Sequence, residues 1–210
     1  MNTTELSVSG FINLLSTDEP APGGGAAVAL SGATGIALLS MVANLTTGRE
    51  KYKDEEELMK SIISEATKLK HSFIESINKD VKAYKNVMDS YKLPKDTEEN
   101  KKIRLDTIQN SLKSATIVPF DVMIISLKSL ELTEKAVGHS NANVITDLGI
   151  SAINLKSAVQ GAWLNVLVNL KYIKDENFVK EYESKGKDIL EKVSSIADKI
   201  YQEVIDTLAK

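Results

Sequence analysis

Asp80 and Tyr84 stand four residues apart in a charged, amphipathic stretch, so a helix there presents an acid and a phenol on one face. Asn165 and Asn169 repeat that spacing in the apolar run WLNVLVNL, Asn44 interrupts SMVANLTTG, and Asp147 interrupts NVITDLGISAI. Burying such groups without partners costs a few kcal/mol each, so they must either hydrogen-bond within a core or line a polar cavity. Taken together they read as a cavity, in which a carboxylate can move protons or face a cation. Each also has an ordinary alternative: buried asparagines join helices, and Asp80 with Tyr84 fits a solvated helix face.

The segment Pro20-Ala21-Pro22-Gly23-Gly24-Gly25 runs directly into an uncharged stretch. Each glycine destabilises ordered structure by about 1 kcal/mol relative to alanine, so something there requires bare backbone. Exposed N–H groups at the positive end of a helix can cradle a carboxylate, a phosphate or a developing oxyanion. The same turn would also deliver the chain into a crowded bundle centre. A nucleotide loop does not fit, because no Gly-Lys-Ser/Thr follows and no strand precedes. Neither His71, on a charged face, nor His139, in a chain break, belongs to a ligand-like Asp/Glu pattern, so no metal centre is expected. A serine triad lacks its Gly-x-Ser-x-Gly elbow.

The elements that must position these groups are helices. Periodicity near 3.6 dominates, and no run alternates with period two between turn signals. The first helix is expected over Glu5–Leu15, and the second from the glycines to about Gly48. A third, charged and amphipathic, spans Asp54–Tyr91 and ends at Leu93-Pro94. Asp96 and Glu99 have capping-box spacing for a fourth, which should bend at Pro119. Gly138–Asn143 breaks the chain, an apolar fifth helix reaches about Leu170, and a lysine-rich sixth begins near Asp175. The second has small residues at four-residue spacing, Gly25, Ala29, Ala33 and Ala37, suited to close helix packing. The fold class expected is all-α: one domain over residues 1–210, a bundle of about six long helices around a central small-residue-rich one.

Composition narrows the function. With 210 residues the chain can bury a core without staples, and with no cysteine it has no disulfide framework, thiolate metal site or cysteine nucleophile, which suits the cytoplasm. A formal net charge of -3 supplies no field for nucleic acid or anionic lipid. The N-terminus lacks the basic start of a secretory signal and reads as mature protein. Ala26–Thr47 is uncharged and long enough to span a bilayer, but it is rich in Ala, Gly, Ser and Thr and has no aromatic belt, so an enclosed helix is expected instead.

Four blocks carry a family resemblance. PAPGGGAAVALSGATGIALLSMVANLTTGREKY resembles the opening of the formiminotransferase-cyclodeaminase C-terminal family, which includes stand-alone methenyltetrahydrofolate cyclohydrolases. The likeness continues through DVKAYKNVMDSYKLPKDTEENKKIR, ATIVPFDVM and SNANVITDLGISAINLKSAVQGAWLNVLVNL. It implies an all-helical, homodimeric enzyme that acts on a one-carbon tetrahydrofolate substrate with no metal and no permanently bound cofactor. Two reactions fit: cyclodeamination of 5-formiminotetrahydrofolate to the 5,10-methenyl cation, or hydrolysis of that cation to 10-formyltetrahydrofolate. The resemblance puts Asp80 and Asp147 in electrostatic and proton-transfer roles. Pro22, Gly23, Gly24 and Gly25 would supply backbone donors, and Asn44, Asn165 and Asn169 would read the pterin edges. Lys51 and Tyr52 would hold the glutamate tail and border the pterin, and Tyr84 would join Asp80. The competing reading is a non-catalytic helical interaction or folate-binding protein.

Overall fold

The computed structural model describes residues 2–209, and three of its six α-helices begin where a side chain accepts from the first turn. Ser7 accepts from the Gly10 N–H to open α1 (Val8–Leu15), after a short 3-10 turn over Thr3–Glu5, so the first helix starts later than its periodicity suggests. Thr97, not Asp96, caps α4 (Glu98–Ala136) by accepting from the Asn100 N–H at 3.1 Å; Asp96 accepts from the Asn100 side chain instead. The hydroxyl of Thr97 is the better fit because its backbone is already extended at that position. Asp175 caps α6 (Glu176–Leu208) in the same way through the Phe178 N–H.

Between these lie α2 (Gly24–Asn44), α3 (Glu56–Tyr91) and α5 (Ile145–Leu170). Glu50–Glu55 forms a 3-10 segment leading into α3, and no strand occurs among the described residues. Gly48, with φ of 76°, makes the left-handed turn after α2, and its N–H donates to Glu56. The predicted all-α bundle of six helices is the observed architecture.

Helices α2, α3, α4 and α5 pack as a closed ring of neighbours, and α6 covers the α4–α5 side. The small residues of α2 set its spacing from two partners. Gly32 lets the Phe73 ring of α3 lie against its backbone, and Gly35 lets α5 approach at Leu155 and Ser151. Ser31 and Ser151 then tie the pair, donating to Asn154 O at 3.1 Å and Gly35 O at 2.7 Å. The sequence order of these contacts makes α2 and α5 antiparallel. One continuous core joins Ile36, Leu39, Met59, Ile62, Phe73, Met123, Leu130, Leu148 and Leu155, all fully buried. On the far side of α5 the Trp163 ring lies directly against Gly186 of α6, where any Cβ would collide with it.

One side of the bundle is unusual. Thr34, Ala37 and Met41 of α2 are exposed, as are Ile150, Ile153, Leu164 and Val168 of the adjoining α5. Helix α2 is long and apolar enough to cross a membrane by length and composition, and half of that stretch is buried among its neighbours.

Pro119 sits inside α4, which continues through it to Ala136. Proline has no N–H for the carbonyl of Ala115 four residues earlier. The side-chain amide of Asn169 donates to that carbonyl at 2.9 Å and also to Asn165 O at 3.0 Å.

Candidate active site

The glycine-rich turn, α3 and the C-terminal end of α5 enclose a cavity of about 420 Å³, within the usual size for small-molecule sites. Its walls include Gly23, Gly24, Gly25, Asp80, Tyr84, Val87, Tyr91, Pro119, Asn165, Asn169 and Tyr172. The proline-rich segment supplies the rim through Pro20 and Ala21, whereas Pro22 is buried and is not part of the lining.

Asp80 and Gly25 fix the centre. A Cβ on Gly25 would fall inside contact distance of the Asp80 carboxylate, so this position requires bare backbone. Gly23 and Gly24 are freer: a Cβ at either would meet its nearest neighbour only at 3.9 Å. Burial pushes the Asp80 carboxyl up to about 6, against the Ala26 N–H, which favours the charged form. The carboxyl therefore lies at the first turn of an uncharged helix, in the positive field of its N-terminus.

The amides are oriented from behind. Asn165 donates to Gly161 O at 3.0 Å, and Asn169 donates to Ala115 O and Asn165 O. Among the described residues no protein donor is directed at either side-chain oxygen, leaving both as acceptors beside the cavity. Tyr84, Tyr91 and Tyr172 are 40%, 43% and 55% exposed, which places three aromatic rings at the mouth rather than in the core.

The residues singled out from sequence therefore fall into two groups. Asp80, Tyr84, Asn165, Asn169 and the three glycines meet at one cavity. Asn44, Lys51, Tyr52 and Asp147 lie at the opposite end of the bundle. Twenty residues of α2 separate Gly24 from Asn44, about 30 Å of helix, and Asp147 is about 27 Å along α5 from Asn165. Asn44 is exposed and donates back to Ser40 O at 2.7 Å, so it is not an inward amide. Tyr52 receives the Ala142 N–H at 3.1 Å, which lowers its phenol from the ordinary value, and the Lys51 ammonium lies 5.3 Å from its ring centroid. Asp147 is half-buried in the first turn of α5. His139 pairs with Glu55 at 3.0 Å, and among the described residues no three His, Asp or Glu side chains are grouped to hold a metal.

Val87, Tyr91 and Tyr172 were not singled out from sequence. The first two continue the Asp80–Tyr84 face at helical spacing, a signal present in the sequence, whereas Tyr172 reaches the cavity only through the turn that ends α5.

Fold and cavity together define an all-helical small-molecule enzyme site. A formiminotransferase-cyclodeaminase family profile matches residues 7–188, and the chain belongs to that family. It is 36% identical to the methenyltetrahydrofolate cyclohydrolase of Methylorubrum extorquens, over 94% of this chain and 95% of that protein. The formimidoyltransferase-cyclodeaminase of Gallus gallus is 31% identical over 81% of this chain, which spans only 32% of that longer enzyme. The crystal structure of formiminotetrahydrofolate cyclodeaminase from Thermotoga maritima superposes with a TM-score of 0.80 at 31% identity, covering 98% of this chain and 96% of that one.

Proposed function

We propose that the protein is a one-carbon tetrahydrofolate enzyme that hydrolyses 5,10-methenyltetrahydrofolate to 10-formyltetrahydrofolate, with Asp80 as the proton-transfer group. The observation that carries this reading is the Asp80 carboxyl, held near neutrality at the bare N-terminus of α2 inside the cavity. The full-length match to a cyclohydrolase supports it.

Above pH 6 the carboxylate is ionised, which suits a base. At about 4 Å from the amidinium carbon it would stabilise the cation by about 4 kcal/mol at an effective dielectric near 20. Water adds to that carbon and gives a proton to Asp80, forming a neutral tetrahedral adduct. The C–N5 bond then breaks, Asp80 returns the proton to N5, and the adduct's hydroxyl proton leaves to solvent as the formyl C=O forms. Backbone N–H groups of the glycine turn suit the developing oxygen, and the free amide oxygens of Asn165 and Asn169 suit the pterin's N–H edge. We propose that no metal or resident cofactor takes part, because the substrate cation is already electrophilic.

Cyclodeamination is the second reading, favoured by the similar Thermotoga maritima structure. There N10 adds to the formimino carbon and ammonia leaves, so the same carboxyl would start as an acid. Supplying both substrates to wild type and to Asp80→Asn decides between them. Loss of the methenyl chromophore without ammonia release from 5-formiminotetrahydrofolate identifies the hydrolase. Ammonia release identifies the deaminase. A wild type that does neither ends the enzyme reading and leaves a helical binding protein.

We further propose a cytoplasmic homodimer formed through the uncharged α2–α5 face. Gly24 and Val168 border both this face and the cavity. A two-fold axis perpendicular to the helices would bring the Asp147 end of one chain to the Asp80 cavity of the other. In that arrangement Asp147, Lys51 and Tyr52 keep a role at the site across the interface.

A further inference from the structure

Within one chain the folate reading leaves the substrate's glutamate without a partner in the cavity, since Lys51 lies at the other end of α2 and nears it only across the proposed interface. From the sequence side, Asp80, Tyr84, Val87 and Tyr91 form one face of α3, eleven residues or about 16 Å from the carboxyl to the outer ring. At that outer end Arg104, in the second turn of α4, donates Nε and Nη2 to the Tyr91 carbonyl at 3.3 and 3.1 Å. Its guanidinium carbon lies 5.7 Å from the centroid of the Tyr91 ring, a cation–π placement that further fixes it.

Arg104 forms no ion pair with a carboxylate among the described residues, although the chain's lysines form many. It is half-buried, and a guanidinium has five donors in a fixed fork, of which the Tyr91 carbonyl engages two. The positive charge is thus held in place beside the cavity mouth, with donors unused. Among the described residues no lysine or arginine lines the cavity itself.

We infer that Arg104 is the specificity-determining residue for the substrate's glutamate, binding its carboxylate at the outer end of the α3 face. This rests on the folate reading and adds where the substrate's tail lies. With the reacting carbon at Asp80, the p-aminobenzoyl ring and its amide carry the glutamate about two helical turns outward, and its own side chain together with that of Arg104 spans the remaining turn to Tyr91. The benzoyl ring then passes among Tyr84, Tyr91 and Tyr172.

The test compares methenyltetrahydrofolate with methenyltetrahydropteroate, which has the same reacting centre and no glutamate. Wild type is expected to show a KM about tenfold or more lower for the folate, the scale of one charge-assisted pair. Arg104→Gln should raise the folate KM to the pteroate value with kcat within a few-fold, while leaving the pteroate KM unchanged. Arg104→Lys should fall between. Equal wild-type KM values for the two compounds overturn the inference, a result that needs no folded variant. So does an Arg104→Gln effect of the same size on both, which would mean that Arg104 only holds the end of α3. A wild type that turns over neither compound instead removes the folate reading, and the inference with it.

Discussion

Asn169 donates its side-chain amide to the carbonyl of Ala115 at 2.9 Å, the backbone acceptor that Pro119 leaves without a helical partner. The proline and the asparagine lie in different helices, and the bond joins them at the wall of the cavity. What reads in the sequence as a helix-bending residue and an inward amide is one device. It closes the defect in α4 and leaves the amide oxygen free beside the substrate space.

Removing the amide should therefore expose the defect. Asn169→Ala leaves a buried carbonyl unsatisfied and is expected to cost about 1–3 kcal/mol in urea unfolding. In a Pro119→Ala background the helix supplies its own N–H, so the same change should cost clearly less. An equal cost in both backgrounds would show that the two positions are uncoupled.

The three glycines should not be equivalent. Gly25→Ala forces the Asp80 carboxyl away from the helix end, and turnover should drop about a hundredfold or more, as for loss of a general acid or base. Gly23→Ala, with a φ of -123° and room for the methyl, should retain activity within a few-fold. Steady-state rates on the methenyl substrate check this, and similar losses at both positions would contradict the assignment.

Asp80 also predicts how stability depends on pH. An unfolded aspartate titrates near about 3.9, whereas this one titrates near 6, so the folded chain holds the proton more tightly between those values. Its contribution is present below about pH 4 and is lost as pH rises through 6. The total is about 3 kcal/mol at about 1.4 kcal/mol per pH unit. Asp80→Asn should accordingly gain on wild type between pH 4.5 and pH 8 in parallel unfolding curves. A difference that stays constant across that range would mean the carboxyl is not desolvated.

The dimer can be tested by complementation. If Asp147 acts across the interface, Asp80→Asn and Asp147→Asn should each be impaired alone. Unfolded and refolded together, they should recover about a quarter of wild-type activity, because half of the dimers are mixed and each carries one intact site. Light scattering should give twice the 22.9 kDa chain mass, and Ala37→Glu on the exposed face should lower it. Full activity of Asp147→Asn, or a wild-type monomer, would remove Asp147 from the site.

Much of this was legible in the residues. Helical periodicity, the glycines after Pro22 and the break at Gly138 fixed the helices to within a few residues. Asp80 with Tyr84, and Asn165 with Asn169, could be paired because four-residue spacing puts both members on one face. The grouping of Asn44 and Asp147 with them could not be read, because nothing in a helix's own pattern tells which of its ends meets which neighbour. Burial also reads poorly at helix ends: Asn44 sits in an apolar run, yet it is the last residue of α2 and faces solvent. Thr97 took the cap from Asp96 for a similarly local reason, the conformation of one residue.

The contact between Trp163 and Gly186 gives the molecule a built-in optical gauge. Trp163 is the chain's single tryptophan, and α6 is the one long helix outside the closed ring of four. If α6 lifts away, the indole loses its cover on that side while the α2–α5 seam stays intact. The emission would shift to the red before most of the far-ultraviolet helical signal is lost. Where the two signals part during denaturation, their separation measures how far the docking of α6 is independent of the rest of the fold.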